Sequence, residues 1–247
     1  MDTIKIQDKK TTKMIAHRGV SKLERENTCP AFIAAGNRSH FGIETDIQVI
    51  ADGTFVAMHD DDTRRVCLDK VCVDVKGGTW ETLCDVVLPD LDGTFDRRDI
   101  RIPTMQDYVK ICKKYGKVCI LEVKNVFKVE DLERMIDEIK ALDYLDGVIF
   151  ISIEYENCVN LRKLLPKAKI QYLTGQRMDD EVINMLTSIH IDAGIDIDWQ
   201  HPERNKQRID LIHSLGMEVN VCTCDDPELA RELIDMGADY LTSNILE

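Results

Sequence analysis

The sequence repeats one arrangement along its length: a short apolar run rich in β-branched residues precedes a longer segment with helical spacing. Such alternation favours parallel strands joined by right-handed helical crossovers. The predicted strands cover residues 14–18, 43–49, 118–124, 148–153, 169–174, 193–198, 218–223 and 240–243. The predicted helices cover residues 27–38, 104–115, 128–142, 154–165, 179–189, 203–215 and 226–236.

Eight strand–helix units predict an α/β fold, a closed (β/α)8 TIM barrel. The structural alternative is an open doubly wound sheet. The sequence has neither the GxGxxG nor the P-loop pattern that marks many nucleotide-binding open sheets. We therefore expect residues 1–247 to form a single TIM-barrel domain.

Two irregularities interrupt the alternation. A short strand is predicted over 55–59, and residues 61–101 then form a stretch rich in Gly, Pro and Asp. We interpret this stretch as a small insertion after the second strand, and long insertions commonly serve a site or a lid. Only four residues follow the last strand, so we expect residues 1–13 or a partner subunit to cover it in place of a final helix. A homodimer is therefore one expectation.

Charge and composition exclude several classes of partner. The chain has 32 Lys and Arg against 45 Asp and Glu, a net charge of −13. An acidic chain gains no counterion-release binding to nucleic acid or to an anionic membrane. No apolar run is long enough to span a bilayer, and the polar first 13 residues do not resemble a secretory signal. We expect a cytoplasmic protein without stable membrane anchoring.

The nine cysteines are odd in number and lack the spacing of a disulfide framework, which favours reduced thiols. Cys222 and Cys224 form the only Cys-x-Cys pair of interest. They lack further close ligands, so we interpret them as core or pocket-lining thiols rather than a zinc site.

Three carboxylates are predicted to point into the barrel. Glu44 and Asp46 share one face of the strand GIETDI, because strand side chains alternate between faces. Glu122 lies on the corresponding face of CILEVK. Unpaired, such a cluster would repel strongly, so burial demands protons or a cation. Oxygen ligands favour one divalent cation, Mg²⁺, Ca²⁺ or Mn²⁺; the alternative is ion pairing with Arg18 and Lys124.

Two histidines and two cationic side chains complete this constellation. His17 and His59 can serve as acid and base near neutral pH. Arg18 and Lys124 can hold phosphate oxygens. A cation, an imidazole pair and phosphate-binding side chains together suit cleavage of a phosphodiester. In a barrel these groups belong at the carboxyl ends of the strands.

The order of these motifs resembles the glycerophosphodiester phosphodiesterase family. The matching segments are IAHRG, ENTCPAF, GIETDIQVIADGTFVAMHD, IPTMQDYV and LEVK, over residues 14–124, with weaker echoes in VNVCTCDD and MGADYLTSN. The resemblance implies a TIM barrel with a small insertion after the second strand. It also implies cation-dependent hydrolysis of a small glycerophosphodiester to glycerol 3-phosphate and an alcohol.

The resemblance also implies roles for individual residues. The metal ligands would be Glu44, Asp46 and Glu122. The acid/base pair would be His17 and His59, and the phosphate-binding residues would be Arg18 and Lys124. We favour His17 as general acid and His59 as general base, although the sequence leaves their order open. Asn27, in the ENT motif, is expected to cap the first helix and brace the His17 loop.

Several positions depart from the family pattern. Cys222-Thr223 stands where the family has a Trp-Thr pair near the glycerol, and Ser243-Asn244 stands for its Thr-Asp pair. Alternation predicts that Asn220, Cys222 and Cys224 face the lumen. These departures keep two other functions open: cleavage of a different phosphodiester, and a barrel that binds glycerophosphodiesters without cutting them.

The remaining aromatic and histidine residues have simpler interpretations. Trp80 and Phe95 form the small core of the insertion, or one of them covers the substrate in place of the missing Trp. Surface or structural roles are expected for the other histidines, His40, His190, His201 and His213.

Overall fold

A computed structural model describes residues 2–247 and contains a closed barrel. Its strands are β1 (Lys13–Ala16), β2 (Gly42–Val49), β3 (Phe55–Ala57), β4 (Val118–Val123), β5 (Val148–Ser152), β6 (Lys169–Gly175), β7 (Asp192–Asp196), β8 (Val219–Cys222) and β9 (Tyr240–Ser243). They follow the order β1-β9-β8-β7-β6-β5-β4-β2-β3, and a further β1–β2 pairing closes the ring. All pairs are parallel except β2–β3. The predicted TIM barrel is confirmed, and the open sheet is wrong.

Helices surround the barrel at the predicted places, and one further short helix was not predicted. They are α1 (Cys29–Gly36), α2 (Trp80–Leu83), α3 (Met105–Tyr115), α4 (Val129–Ala141), α5 (Tyr155–Leu164), α6 (Asp180–Ile189), α7 (Glu203–Ser214) and α8 (Pro227–Met236). The helix that was not predicted is α2, which lies between β3 and α3. α8 shows how the sequence sets its ends: the Asp226 side chain accepts hydrogen bonds from two backbone N–H groups of the first turn, and Gly237 ends the helix at φ +100°.

Two apolar layers lie on either side of the barrel wall. The larger one packs the outward strand residues against the helices. A smaller one fills the lumen, where Ile15, Ile120, Ile149, Ile151 and Tyr240 are buried. The lumen below the candidate site is therefore closed by apolar side chains, as is usual for this fold.

The segment between β3 and α3, which contains the predicted insertion 61–101, forms a compact excursion with its own core. Val56, Met58, Leu83 and Ile100 are among the buried residues of this core, and Trp80 packs against it. Trp80 thus belongs to the excursion's core. Lys70 Nζ lies 4.7 Å from the Phe95 ring centre.

The outer layer beside β9 is completed by the amino-terminal segment rather than by a helix. Ile4 pairs in parallel with Leu246, and both Ile6 and Leu246 are buried in the outer core. His40 Nε2 lies 3.0 Å from the Leu246 carbonyl and is buried there, which fits the structural role expected for it. Residues near the amino terminus therefore cover this side of β9, which is one of the two coverings expected from the sequence.

Among residues 2–247 no helix combines the length and apolarity needed to cross a membrane. Each of the nine cysteines is a free thiol in this structure.

Candidate active site

Three carboxylates meet at the carboxyl ends of neighbouring strands. Parallel pairing of β2 with β4 sets Asp46 opposite Glu122, and Glu44 lies two residues earlier on the same face of β2. One oxygen from each carboxylate lies within 4.8 Å of the other two, although Glu44 is only 3% exposed, Asp46 1% and Glu122 9%. Burial, reinforced by the charges of the other two carboxylates, raises the pKa of Glu44 well above its usual range.

Two cationic side chains compensate this cluster only in part. Lys124 Nζ lies 2.9 Å from Glu122 Oε1 and 3.6 Å from Asp46 Oδ1. Arg18 Nε lies 3.2 Å from Asp46 Oδ2 without hydrogen-bond geometry, and it has no hydrogen-bond partner among the described residues. The ion pairs that the sequence offered as an alternative are thus formed. When all three carboxylates are ionised, the two cations leave a negative charge, so the cluster suits a hard divalent cation.

His17 lies just after β1, beside this cluster. Its backbone N–H donates to the Ser243 carbonyl, which ties the residue to the end of β9. Nε2 is 3.9 Å from Glu44 Oε2, and Nδ1 is 2.8 Å from Asn244 Oδ1. Burial and the neighbouring Arg18 charge lower the pKa of His17.

His59 approaches the cluster from the excursion side. The Met58 N–H donates to the Asp46 carbonyl, and the Gln48 side-chain amide donates to the carbonyls of 58–60. This backbone clamp fixes the loop against β2. His59 Nδ1 lies 2.6 Å from Asp60 Oδ1, so a carboxylate stands behind the imidazole.

A chain of ion pairs connects the two sides of the site. Arg18 Nη1 donates to Glu26, and Arg65 of the excursion donates to both Glu26 and Asp60. Burial opposes ionisation of Glu26, but the hydrogen bonds from Arg65 and the charge of Arg18 outweigh it and lower its pKa to about 2. Sequence reasoning missed Arg65, because its partner Glu26 lies in another loop, 39 positions away.

Asn27 does not cap the first helix, and that prediction is wrong. Thr28 is the cap, accepting from the Ala31 N–H. The Asn27 side chain instead donates through Nδ2 to Asp46 Oδ2 at 2.8 Å and accepts from Thr45 Oγ1. Its backbone N–H donates to the Arg18 carbonyl, so the expected bracing of the His17 loop is present. The one-residue difference arises because Asn27, at φ +54°, turns its amide inward to β2.

The family model for the glycerophosphoryl diester phosphodiesterase family matches residues 17–246, which include all seven predicted site residues. The chain belongs to this family. Membership confirms the resemblance seen in the sequence and the predicted enzyme class, a phosphoric diester hydrolase.

Several glycerophosphodiester phosphodiesterases align with nearly the full length of the chain. A glycerophosphodiester phosphodiesterase of Bacillus altitudinis is 28% identical over 238 residues, 92% of each chain. A crystal structure of a glycerophosphodiester phosphodiesterase from Parabacteroides distasonis is 26% identical, with a TM-score of 0.76 over 95% of this chain and 93% of that one. A phosphodiesterase of Oleispira antarctica, solved with its product sn-glycerol-3-phosphate, shares the fold at 22% identity, with a TM-score of 0.78 over 94% and 93%.

In this member of the family a thiol lies on the wall of the site. Cys222 Sγ is 3.5 Å from Asp196 Oδ1, and burial raises the pKa of the Cys222 thiol well above its usual range. Asn220 lies in the lumen, bonded to Gln171. Cys224, which alternation also placed there, is instead buried in the outer core. That prediction is wrong because β8 ends at Cys222, and the alternation of faces ends with it.

A cavity of about 600 Å³ lies at the opposite end of the barrel, near the amino ends of the strands. Lys13, Phe41, Val118 and Tyr240 are among its lining residues, and none of the seven predicted site residues is. The candidate active site is therefore identified by the chemistry of its side chains and not by the size of this cavity.

Proposed function

We propose that this family member hydrolyses glycerophosphodiesters to glycerol 3-phosphate and an alcohol, with a divalent cation and an acid/base pair of histidines. The observation that carries the proposal is the convergence of the acidic cluster, both imidazoles and two cationic side chains at one end of the barrel. The substrate is a small molecule, and the product bound to the Oleispira antarctica phosphodiesterase supports that choice. In this proposal residues 1–247, with the insertion 61–101, act as one catalytic domain.

The residues that hold the cation are Glu44, Asp46 and Glu122. These three carboxylates offer oxygen ligands and negative charge, which suit Mg²⁺, Ca²⁺ or Mn²⁺. When bound, the cation supplies charge neutralisation for the phosphate group and its transition state. The Asn27 amide holds the Asp46 carboxylate in place, and the Arg18 N–H holds Glu44 at 2.7 Å.

Arg18 and Lys124 bind the non-bridging phosphate oxygens. Both side chains border the acidic cluster and keep their charge: burial opposes it, but the neighbouring carboxylates outweigh burial and raise the pKa of each.

His59 acts as general base and His17 as general acid. Asp60 accepts from His59 Nδ1–H, so it stabilises the imidazolium that forms when Nε2 takes a proton, as the carboxylate of a catalytic triad does. His17 presents Nε2 beside Glu44, where a protonated imidazole can give its proton to the leaving alcohol.

A second candidate is cleavage of a different phosphodiester on the same machinery. Cys222 and Asp196 favour it, because together they give one wall of the site a small thiol and a carboxylate. Such a wall selects for the group that it contacts, while leaving the acidic cluster unchanged.

The test is a coupled assay for glycerol 3-phosphate release from glycerophosphocholine and glycerophosphoethanolamine. Enzyme stripped with EDTA is compared with enzyme given Mg²⁺, Ca²⁺ or Mn²⁺. We expect release that requires a cation. Tight binding of these substrates without release, with every cation, would identify a binding protein instead. Release from other phosphodiesters alone would favour the second candidate.

A further inference from the structure

The Asn244 side chain joins His17 to a carboxylate that sequence reasoning did not assign to the site. Its Oδ1 lies 2.8 Å from His17 Nδ1, and its Nδ2 lies 2.8 Å from Asp225 Oδ2. Asn244 follows β9, whereas Asp225 lies in the loop between β8 and α8. The three side chains form a line from a carboxylate through an amide to an imidazole.

Asp225 determines which way the amide points. An ionised carboxylate only accepts hydrogen bonds, so Nδ2 of Asn244 must face it. Oδ1 of Asn244 then faces His17, and it also accepts a 2.6 Å hydrogen bond from Ser21 Oγ. A flipped amide would set its oxygen against the carboxylate, and two acceptors cannot hydrogen-bond to each other.

The orientation of the amide in turn determines the state of His17. Because Oδ1 only accepts, the proton of a neutral imidazole must be on Nδ1. Nε2 is then the nitrogen that exchanges protons, and it is the one that faces Glu44, at 3.9 Å.

We propose that Asn244 and Asp225 are positioning residues that hold His17 as the Nδ1–H tautomer, with Nε2 directed at the reacting phosphodiester. This inference rests on the proposed function, in which the His17 imidazolium gives its Nε2 proton to the leaving alcohol and is left as this tautomer.

Asp225 is itself held firmly enough for this task. Its Oδ1 accepts from the Asn244 N–H at 2.8 Å and from Ser243 Oγ at 2.9 Å, and Oδ2 lies 3.0 Å from Lys22 Nζ. Burial opposes its ionisation, but these hydrogen bonds outweigh burial and lower the pKa of Asp225. It therefore stays an acceptor across the neutral range.

Asp225→Asn tests the proposal with almost no change in shape. The new side-chain amide still accepts from the Asn244 N–H but now donates toward the Asn244 side chain. Asn244 must flip, and His17 becomes the Nε2–H tautomer. We expect kcat to fall on the order of 10- to 100-fold with KM little changed. Asp226→Asn is the matched control, because Asn caps a helix as well as Asp does and the Asp226 side chain bonds only to the first turn of α8.

The double variant Asp225→Asn with Asn244→Asp exchanges the two groups and restores the acceptor that faces His17 and Ser21. We expect it to recover kcat to within a few-fold of the wild type. Loss of activity through damaged packing would not be reversed by this exchange. Failure of the double variant to recover activity would overturn the proposal.

The ring ¹⁵N chemical shifts of His17 give a readout that does not depend on turnover. They distinguish Nδ1–H from Nε2–H, and His17→Gln assigns the signals. We expect Nδ1–H in the wild type and in the double variant, and Nε2–H after Asp225→Asn. An unchanged tautomer and unchanged kcat after Asp225→Asn would overturn the inference. If the wild type released no glycerol 3-phosphate, the proposed function would fail while the tautomer was still measured.

Discussion

Arg65 Nη2 lies 2.7 Å from Glu26 Oε1, while Nη1 of the same guanidinium lies 2.9 Å from Glu26 Oε2. This two-pronged contact joins the excursion after β3 to the loop between β1 and α1. It completes a continuous series of contacts through the site, in the order His59, Asp60, Arg65, Glu26, Arg18 and Asp46. The excursion therefore helps to hold together His59 and Arg18, the proposed general base and a proposed phosphate-binding residue.

Arg65→Gln should lower kcat/KM about tenfold, because Asp60 and Glu26 each lose a charged partner and His59 and Arg18 lose their fixed positions. Arg65 is half exposed, so we expect little change in the free energy of unfolding. Steady-state kinetics on glycerophosphocholine and urea unfolding measure the two effects. Arg64→Gln is the control, since Arg64 contacts Asp62 on the exposed surface. Equal losses in both variants would contradict the assignment.

His17→Gln and His59→Gln should each lower kcat by roughly 10²- to 10⁴-fold, the usual contribution of a positioned acid or base. Circular dichroism should show an unchanged fold. His201→Gln, at an exposed histidine, is expected to keep full activity. The acid/base assignment would be abandoned if either site variant kept wild-type turnover.

Glu44→Gln should stabilise the protein in EDTA and abolish its response to added cation. Burial and neighbouring carboxylates raise the pKa of Glu44, so its ionised form is disfavoured in the folded state. This contribution to stability is present below the ordinary pKa of 4.5 and is lost as pH rises through the folded value. Glutamine cannot ionise, so the variant keeps the stability that the wild type loses when Glu44 ionises.

A thermal unfolding series with and without Mg²⁺, Ca²⁺ or Mn²⁺ checks both effects. In the wild type a cation at a hundred times its Kd should add about 2.7 kcal/mol of stability. Glu232→Gln, on the exposed face of α8, should respond to cation as the wild type does. A full cation response in Glu44→Gln would exclude Glu44 as a ligand.

Because the His40 imidazole is buried, we expect the protein to lose stability in mild acid. Burial lowers its pKa to about 4 from an ordinary value of 6.5, despite its contact with the Leu246 carbonyl. The unfolded chain therefore binds a proton before the folded one does. The contribution of His40 is fully present above pH 6.5 and is lost as pH falls toward 4.

Urea unfolding at pH 7.5 and pH 5 measures this loss, which should be about 2 kcal/mol for the wild type from His40 alone. His40→Gln keeps a donor for the Leu246 carbonyl and should show a smaller difference between the two pH values by that amount. His201→Gln should show the wild-type difference. Identical differences in all three proteins would contradict a neutral, buried His40.

Much of the architecture could be predicted because it depends on local patterns. Alternating apolar runs and helical segments predict the barrel, and alternation within GIETDI places Glu44 and Asp46 on one face. The same alternation was wrong for Cys224, because a strand's periodicity ends where its ladder of hydrogen bonds ends. The helix cap was placed one residue early at Asn27, since Asn and Thr both favour that position and only the contact with Asp46 distinguishes them.

The sequence by itself determined the barrel and the set of seven side chains, since both depend on residue types and spacings that short segments carry. Only the tertiary structure decided how each imidazole is held. Asn244 is 227 positions from His17 along the chain, and Arg65 reaches Glu26 across 39 positions. Such partners are chosen by barrel closure and by the conformations of loops, which bring polar groups together whose separation in sequence carries no signal of contact.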